Sequence, residues 1–226
     1  MNLSQDQLKQ QVAVAAVEYI REFFTADAVI GVGTGSTADL FIDALAQYKD
    51  QFKGAVASSE RTAERLKGHG IEVFDLNTID SMPVYVDGAD EVNPKLQMIK
   101  GGGGALTREK IVASVAERFV CIVDDSKWVA RLGAFKIPLE VIQIASNSVS
   151  NKLKTLGATE VVERVGFVTD NGHPILDVAG FELDDAADLE QRINQIPGVV
   201  TCGLFALEPA TVVLMASQEG VKTIKS

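Results

Sequence analysis

Four consecutive glycines stand between Lys100 and the segment Ala105-Leu106-Thr107-Arg108-Glu109. Glycines expose backbone N–H groups, and N–H groups beside a lysine at the start of a helix make a cradle for an anion. In the helix that follows, Ala105, Leu106, Val112, Ala113 and Ala116 share one apolar arc, and Glu109 falls near its middle. Burial on that arc favours a protonated carboxyl while the helix start favours a charged one, the balance a general base needs. Taken alone, Glu109 has an ordinary alternative, as an acid that complements the helix dipole and points to water.

Three further segments follow predicted strands, where an open parallel sheet binds ligands. Gly31-Val32-Gly33-Thr34-Gly35-Ser36-Thr37 places N–H groups and hydroxyls at a helix start, which suits a phosphate. It is not a dinucleotide fingerprint, because Ser36 stands where the third glycine belongs and no acid closes the next predicted strand; Gly-Lys-Ser/Thr, the P-loop signature, is absent. Asp87-Gly88-Ala89-Asp90 sets two acids at the end of Val84-Tyr85-Val86. They suit proton exchange with sugar hydroxyls; with Glu91 and Asn93 they also offer hard oxygens to a divalent cation, although EF-hand spacing is missing. Asp124-Asp125-Ser126-Lys127 ends on a lysine that reaches a phosphate as a point charge, or simply faces water.

The missing residue types narrow the chemistry. The two histidines, His69 and His173, lie in turns away from these segments and are expected to be exposed, and no Gly-x-Ser-x-Gly elbow occurs. Cys121 and Cys202 sit inside apolar strand-like runs, as small buried hydrophobes rather than activated thiols. A carboxylate base, two further acids, a lysine and glycine amides remain. That set suits moving a proton next to a carbonyl through an enediolate.

The chain must hold these groups with 226 residues, 46% of them hydrophobic, enough for one or two cores. A net charge of −10 argues against a nucleic-acid surface, so an anionic substrate needs a local positive pocket. No apolar run is long enough for a membrane span, and the first residues lack a signal peptide's pattern, so a cytoplasmic protein is expected.

Ser4 and Gln7 have capping-box spacing ahead of a first helix. Strands at 28–32, 55–57, 84–86 and 119–123 then alternate with helices. This pattern predicts an α/β fold, a Rossmann-like parallel sheet with helices on both faces. Beyond Lys136 the order becomes β-α-β-β-α-β, that of a small ferredoxin-like α+β domain, and the strand 211–215 is expected to return to the first sheet. The predicted division is therefore 1–136 with 211–226 for the catalytic domain and 137–210 for the inserted one.

Together, Gly31 to Thr37, Tyr85 to Glu91 and Lys100 to Lys110, with Val168-Thr169-Asp170-Asn171-Gly172, Pro197-Gly198-Val199-Val200 and Gly220-Val221-Lys222, closely resemble the A-type ribose-5-phosphate isomerases. The resemblance implies interconversion of ribose 5-phosphate and ribulose 5-phosphate in the pentose phosphate pathway, with no metal and no organic cofactor. It implies that Glu109 moves the proton between C2 and C1 of a cis-enediol. It also implies that Asp87 and Asp90 help open the ring and shuttle hydroxyl protons, and that Lys100 and the amides of Gly101, Gly102 and Gly103 stabilise the enediolate. Thr34, Gly35, Ser36 and Thr37, with Gly88, Ala89, Lys127 and Lys9, would hold the substrate and its phosphate. A homodimer is expected, with a phosphorylated pentose as ligand and neither nucleic acid nor membrane as partner. One departure from the pattern is Asp125, an acid beside Lys127 where alanine is common. The competing reading is a phosphosugar-sensing domain without catalysis; regulators of that kind carry a helix-turn-helix and a basic face, and this chain has neither.

Overall fold

The computed structural model describes residues 2–225. The chain divides into two compact units, one of residues 2–89, 108–128 and 210–225, the other of residues 90–107 and 129–209.

The first unit is built on a six-stranded sheet in the order Gly220–Lys225, Val212–Ser217, Phe119–Asp124, Tyr85–Asp87, Val29–Val32, Gly54–Ala57. Five strands are mutually parallel, and the last, Gly220–Lys225, pairs antiparallel with Val212–Ser217 through a tight hairpin. The three central strands are buried along their whole lengths, as parallel strands covered on both faces must be, which is why they read as unbroken apolar runs. The core packs Leu8, Val12, Ala16 and Ile20 of helix Gln5–Ile20 with Phe41 and Leu45 of helix Ser36–Leu45 and with Ile30, Val86, Ile122 and Leu214 of the sheet. Helix Gln5–Ile20 starts on the expected capping box, Ser4 Oγ accepting from Gln7 N while Gln7 accepts from Ser4 N.

The second unit has a four-stranded antiparallel sheet in the order Val199–Cys202, Ile137–Val141, Ile175–Ala179, Glu160–Glu163. With helices Ser146–Thr155 and Ala186–Asn194 this is the expected β-α-β-β-α-β arrangement, its core formed by Leu139, Val141, Val149, Leu153, Val178, Leu189 and Ile193. A three-stranded sheet, Leu204–Phe205, Met98–Ile99 and Glu91–Val92, belongs to the same unit.

Two features differ from the sequence expectation. Residues 90–107 and 129–136 group with the second unit rather than the first, because Met98–Ile99 pairs with Leu204–Phe205 and the carboxylate of Glu91 accepts the N–H groups of Gly133 (2.7 Å) and Phe135 (2.6 Å). The large sheet is also not wholly parallel, since the polar strand Gly220–Lys225 caps its edge. Replacing Ser4 with Ala is expected to remove one half of the capping box and lower stability by about 1 kcal/mol, read as a reduced urea midpoint at unchanged helical content.

Candidate active site

In the first unit, strands Val29–Val32 and Tyr85–Asp87 lie side by side in register, Val32 opposite Val86, so the turns that follow them open at the same end of the sheet. Gly33 occurs where those turns touch: a Cβ there would run into the carboxyl of Asp87. Asp87 is completely buried. Its Oδ1 accepts from Thr34 N (3.1 Å) and Gly88 N (2.7 Å), and its Oδ2 from the Tyr85 hydroxyl (2.5 Å). Burying an acid costs several kcal/mol unless donors surround it, and these three are among those that do.

Thr34 is committed inward. Its hydroxyl lies 2.8 Å from Ser58 Oγ and 3.1 Å from Thr62 Oγ1 and donates to Ser59 Oγ (2.9 Å), while Thr62 donates to the carbonyl of Gly33 (2.9 Å). Of the predicted phosphate cradle, the N–H of Thr34 is thus used by Asp87, and the outward-facing part is Gly35, Ser36 and Thr37 at the start of helix Ser36–Leu45. Lys9 reaches the same place from helix Gln5–Ile20, its Nζ 3.2 Å from Ser36 Oγ. A helix start and an ammonium group converge there, an arrangement that suits an anion.

Lys127 closes the short turn Asp125–Lys127 after strand Phe119–Asp124. The turn is tied by buried Asp124, which accepts from Ser126 N (3.1 Å), Ser126 Oγ and Gln5 Nε2 (3.3 Å). Asp125 is exposed.

Glu109 is 4% exposed in the first turn of helix Leu106–Val115, so the apolar-arc reading holds and the solvent-facing alternative does not. Tyr85 connects it electrostatically to Asp87. Burial pushes the Tyr85 phenol well above its ordinary pKa of 10.0, and the negative charges of Asp87 and Glu109 push it the same way. Tyr85 therefore stays a hydrogen-bond donor throughout the physiological range. Reading the sequence missed it, because a tyrosine in an apolar strand looks like core; its place two residues before Asp87, on the same strand face, was the available signal.

In the second unit, Lys100 is 2% exposed. Its N–H donates to Gly203 O (2.8 Å) and its Nζ lies 5.5 Å from the centre of the Phe205 ring. Asp90 is held by its own N–H on Ile99 O (2.9 Å), and its Oδ2 accepts the N–H of Gly102 (2.8 Å). The amide of Gly102 is therefore engaged with Asp90, and of the three expected oxyanion amides those of Gly101 and Gly103 remain. The divalent-cation option loses two members. Both oxygens of Glu91 take backbone N–H groups, and Asn93 Oδ1 takes those of Lys95 (3.0 Å) and Gln97 (3.1 Å). His69 is half-buried rather than exposed, with Nε2 2.9 Å from Asp43. Burial alone would raise the Asp43 carboxyl, but its hydrogen bonds with Arg65 and then His69 hold it below the usual range.

These features define an α/β protein with a buried carboxylate at the end of a central parallel strand and an ammonium group at the start of a helix. The chain belongs to the ribose 5-phosphate isomerase A (phosphoriboisomerase A) family, whose sequence profile matches residues 54–220. It is 60% identical over 223 residues to ribose-5-phosphate isomerase A of Bordetella bronchiseptica, an alignment covering 99% of this chain and 98% of that one. Its fold matches ribose 5-phosphate isomerase A from Neisseria gonorrhoeae with a TM-score of 0.95 at 44% identity, over 100% of this chain and 99% of that one. The enzyme of Methanocaldococcus jannaschii matches with a TM-score of 0.91 at 39% identity, over 99% and 100% of the two chains. Such coverage extends the family assignment to both units.

Tyr85→Phe leaves the buried Asp87 carboxyl one donor short and is expected to cost about 1–3 kcal/mol of stability. The phenol binds its proton more tightly folded than unfolded, so its contribution is complete below pH 10.0 and is lost as pH rises from there toward the higher folded value. Urea unfolding of wild type and Tyr85→Phe between pH 7 and 11 should show the gap between them narrowing only at the alkaline end.

Proposed function

We propose that this protein interconverts D-ribose 5-phosphate and D-ribulose 5-phosphate through a cis-enediolate, with Glu109 as the base. The observation that carries this reading is a carboxylate buried in the first helical turn after a four-glycine run, within a chain 60% identical to ribose-5-phosphate isomerases A along nearly its whole length.

In the open-chain aldose, Glu109 takes the proton from C2. The C2–H electron pair becomes the C1–C2 double bond and the C1 carbonyl oxygen takes up the negative charge. The proton on O2 passes to O1, and Glu109 returns its own proton to C1, which gives the ketose. The reaction is an internal redox exchange between two carbons, so atoms and electrons balance with no metal and no organic cofactor. Lys100 with the amides of Gly101 and Gly103 is assigned to the enediolate oxygens, where preorganised donors act most strongly. Asp87 and Asp90 are assigned to opening the sugar ring and moving hydroxyl protons. Gly35, Ser36, Thr37, Lys9 and Lys127 are assigned to the phosphate, and Gly88 and Ala89 to the sugar; Thr34 supports Asp87 from behind.

The protein is proposed to work as a homodimer in the cytoplasm, in the pentose phosphate pathway. No helix among the described residues is long and apolar enough to cross a membrane.

Glu109→Gln is expected to abolish turnover while the protein folds and still binds ribose 5-phosphate by calorimetry; wild-type rates in that variant would remove Glu109 from the role. Lys100→Ala should lower kcat by about 10²–10³, the usual loss for one oxyanion donor. Isomerisation in deuterated water should place deuterium on the carbon-bound positions of the pentose and survive EDTA. A sensor domain would exchange none.

A further inference from the structure

Glu140 is completely buried on strand Ile137–Val141 of the second unit, and the chemistry above gives it no part. Its carboxyl is caged by neutral donors. Oε1 accepts from Thr169 Oγ1 (3.0 Å) and Asn171 Nδ2 (3.1 Å), and Oε2 from Asn171 Nδ2 (3.2 Å) and from the hydroxyl of Thr107. Core packing alone does not ask for a carboxyl at this position, because interior acids are expensive and an apolar side chain fills the same volume. What the carboxyl does here is grip Thr107, the second residue of helix Leu106–Val115, two places before Glu109.

The segment that supplies Thr169 and Asn171 holds the same turn at two further points. Arg164, fixed by Asp177 at 2.9 and 2.5 Å, donates from Nη1 to the carbonyl of Gly102 (3.1 Å). The Phe167 ring covers Gly104, which has a φ of +82° and where a Cβ would run into the ring. Residues 164–171 thus meet the glycine turn at its second residue, its last residue and, through Glu140, the helix it feeds.

We infer that Glu140 is a positioning residue for the isomerisation, acting through Thr107 with the 164–171 segment as its backing, and that it sets the placement of the Glu109 helix start. A general base works only within a narrow range of distance from its proton, and a displacement of about 1 Å can cost 10²-fold in rate. This inference rests on the function proposed above.

The test is kcat and KM for ribose 5-phosphate in wild type, Thr107→Val, Thr107→Ser and Glu140→Gln, each checked for folding by circular dichroism. Thr107→Val keeps the shape and removes the hydroxyl, so kcat should fall about 10- to 100-fold with KM within about twofold, and Thr107→Ser should restore most of the rate. Glu140→Gln keeps the volume and should give an intermediate fall in kcat even if Thr107→Val fails to fold. A packing role alone would change thermal stability and leave kcat per folded molecule unmoved. Wild-type kcat in Thr107→Val or in Glu140→Gln, or a change confined to KM, would overturn the positioning role while the function stands. An inert wild-type protein in the same assay would overturn both.

Discussion

Asp87 carries the organisation of the first unit. An acid with no exposure to solvent is tolerable only if the surrounding backbone and side chains arrive already arranged as donors. Here they arrive from three directions: the turn after strand Val29–Val32, the residue that follows Asp87 itself, and a phenol two residues back on the same strand. Each donor makes its own demand. Thr34 can present its N–H only because Gly33 has no side chain, and its hydroxyl is fixed by the serine and threonine hydroxyls around the start of helix Glu60–Gly68. Removing the acid would leave that ring of donors without its centre.

The second unit treats its acids differently. Glu91 and Glu190 are buried carboxyls that each accept two backbone N–H groups, Glu190 from Ala206 and Leu207 at 2.8 Å, and so pin loops that have no regular structure of their own. Among the described residues, the donors to Glu140 are side chains. The difference is physical: a carboxyl that binds amides fixes where the chain runs, whereas one that binds hydroxyls and a carboxamide reads the rotamers of particular residues. The former suits scaffolding and the latter suits fine adjustment of a neighbouring turn.

Much of this was legible in the sequence because central parallel strands are short unbroken apolar runs that end in glycine and acid, and because Glu109 interrupts an apolar arc. What could not be read has identifiable causes. Glu91–Val92, Met98–Ile99 and Leu204–Phe205 are two residues each, too short for any periodicity, so the three-stranded sheet and the grouping of residues 90–107 were hidden with them. Gly220–Lys225 alternates weakly and carries lysines, as an edge strand does, and its pairing is set by the partner strand. The commitment of Gly102 to Asp90 depends on a contact twelve residues apart with no local pattern. Glu140 did leave a trace, a lone acid inside Ile137-Pro138-Leu139-Glu140-Val141, of the same kind that drew attention to Glu109.

The position of strands Val212–Ser217 and Gly220–Lys225 in the chain has a consequence for biosynthesis. The large sheet is assembled from segments that the ribosome delivers on either side of residues 129–209, all of which belong to the other unit. During translation, the side of Phe119–Asp124 that Val212–Ser217 covers therefore stays unpaired while residues 129–209 are made, and only then does that neighbour emerge. A nascent chain in that interval presents an unpaired strand edge, the kind of surface that pairs with other chains.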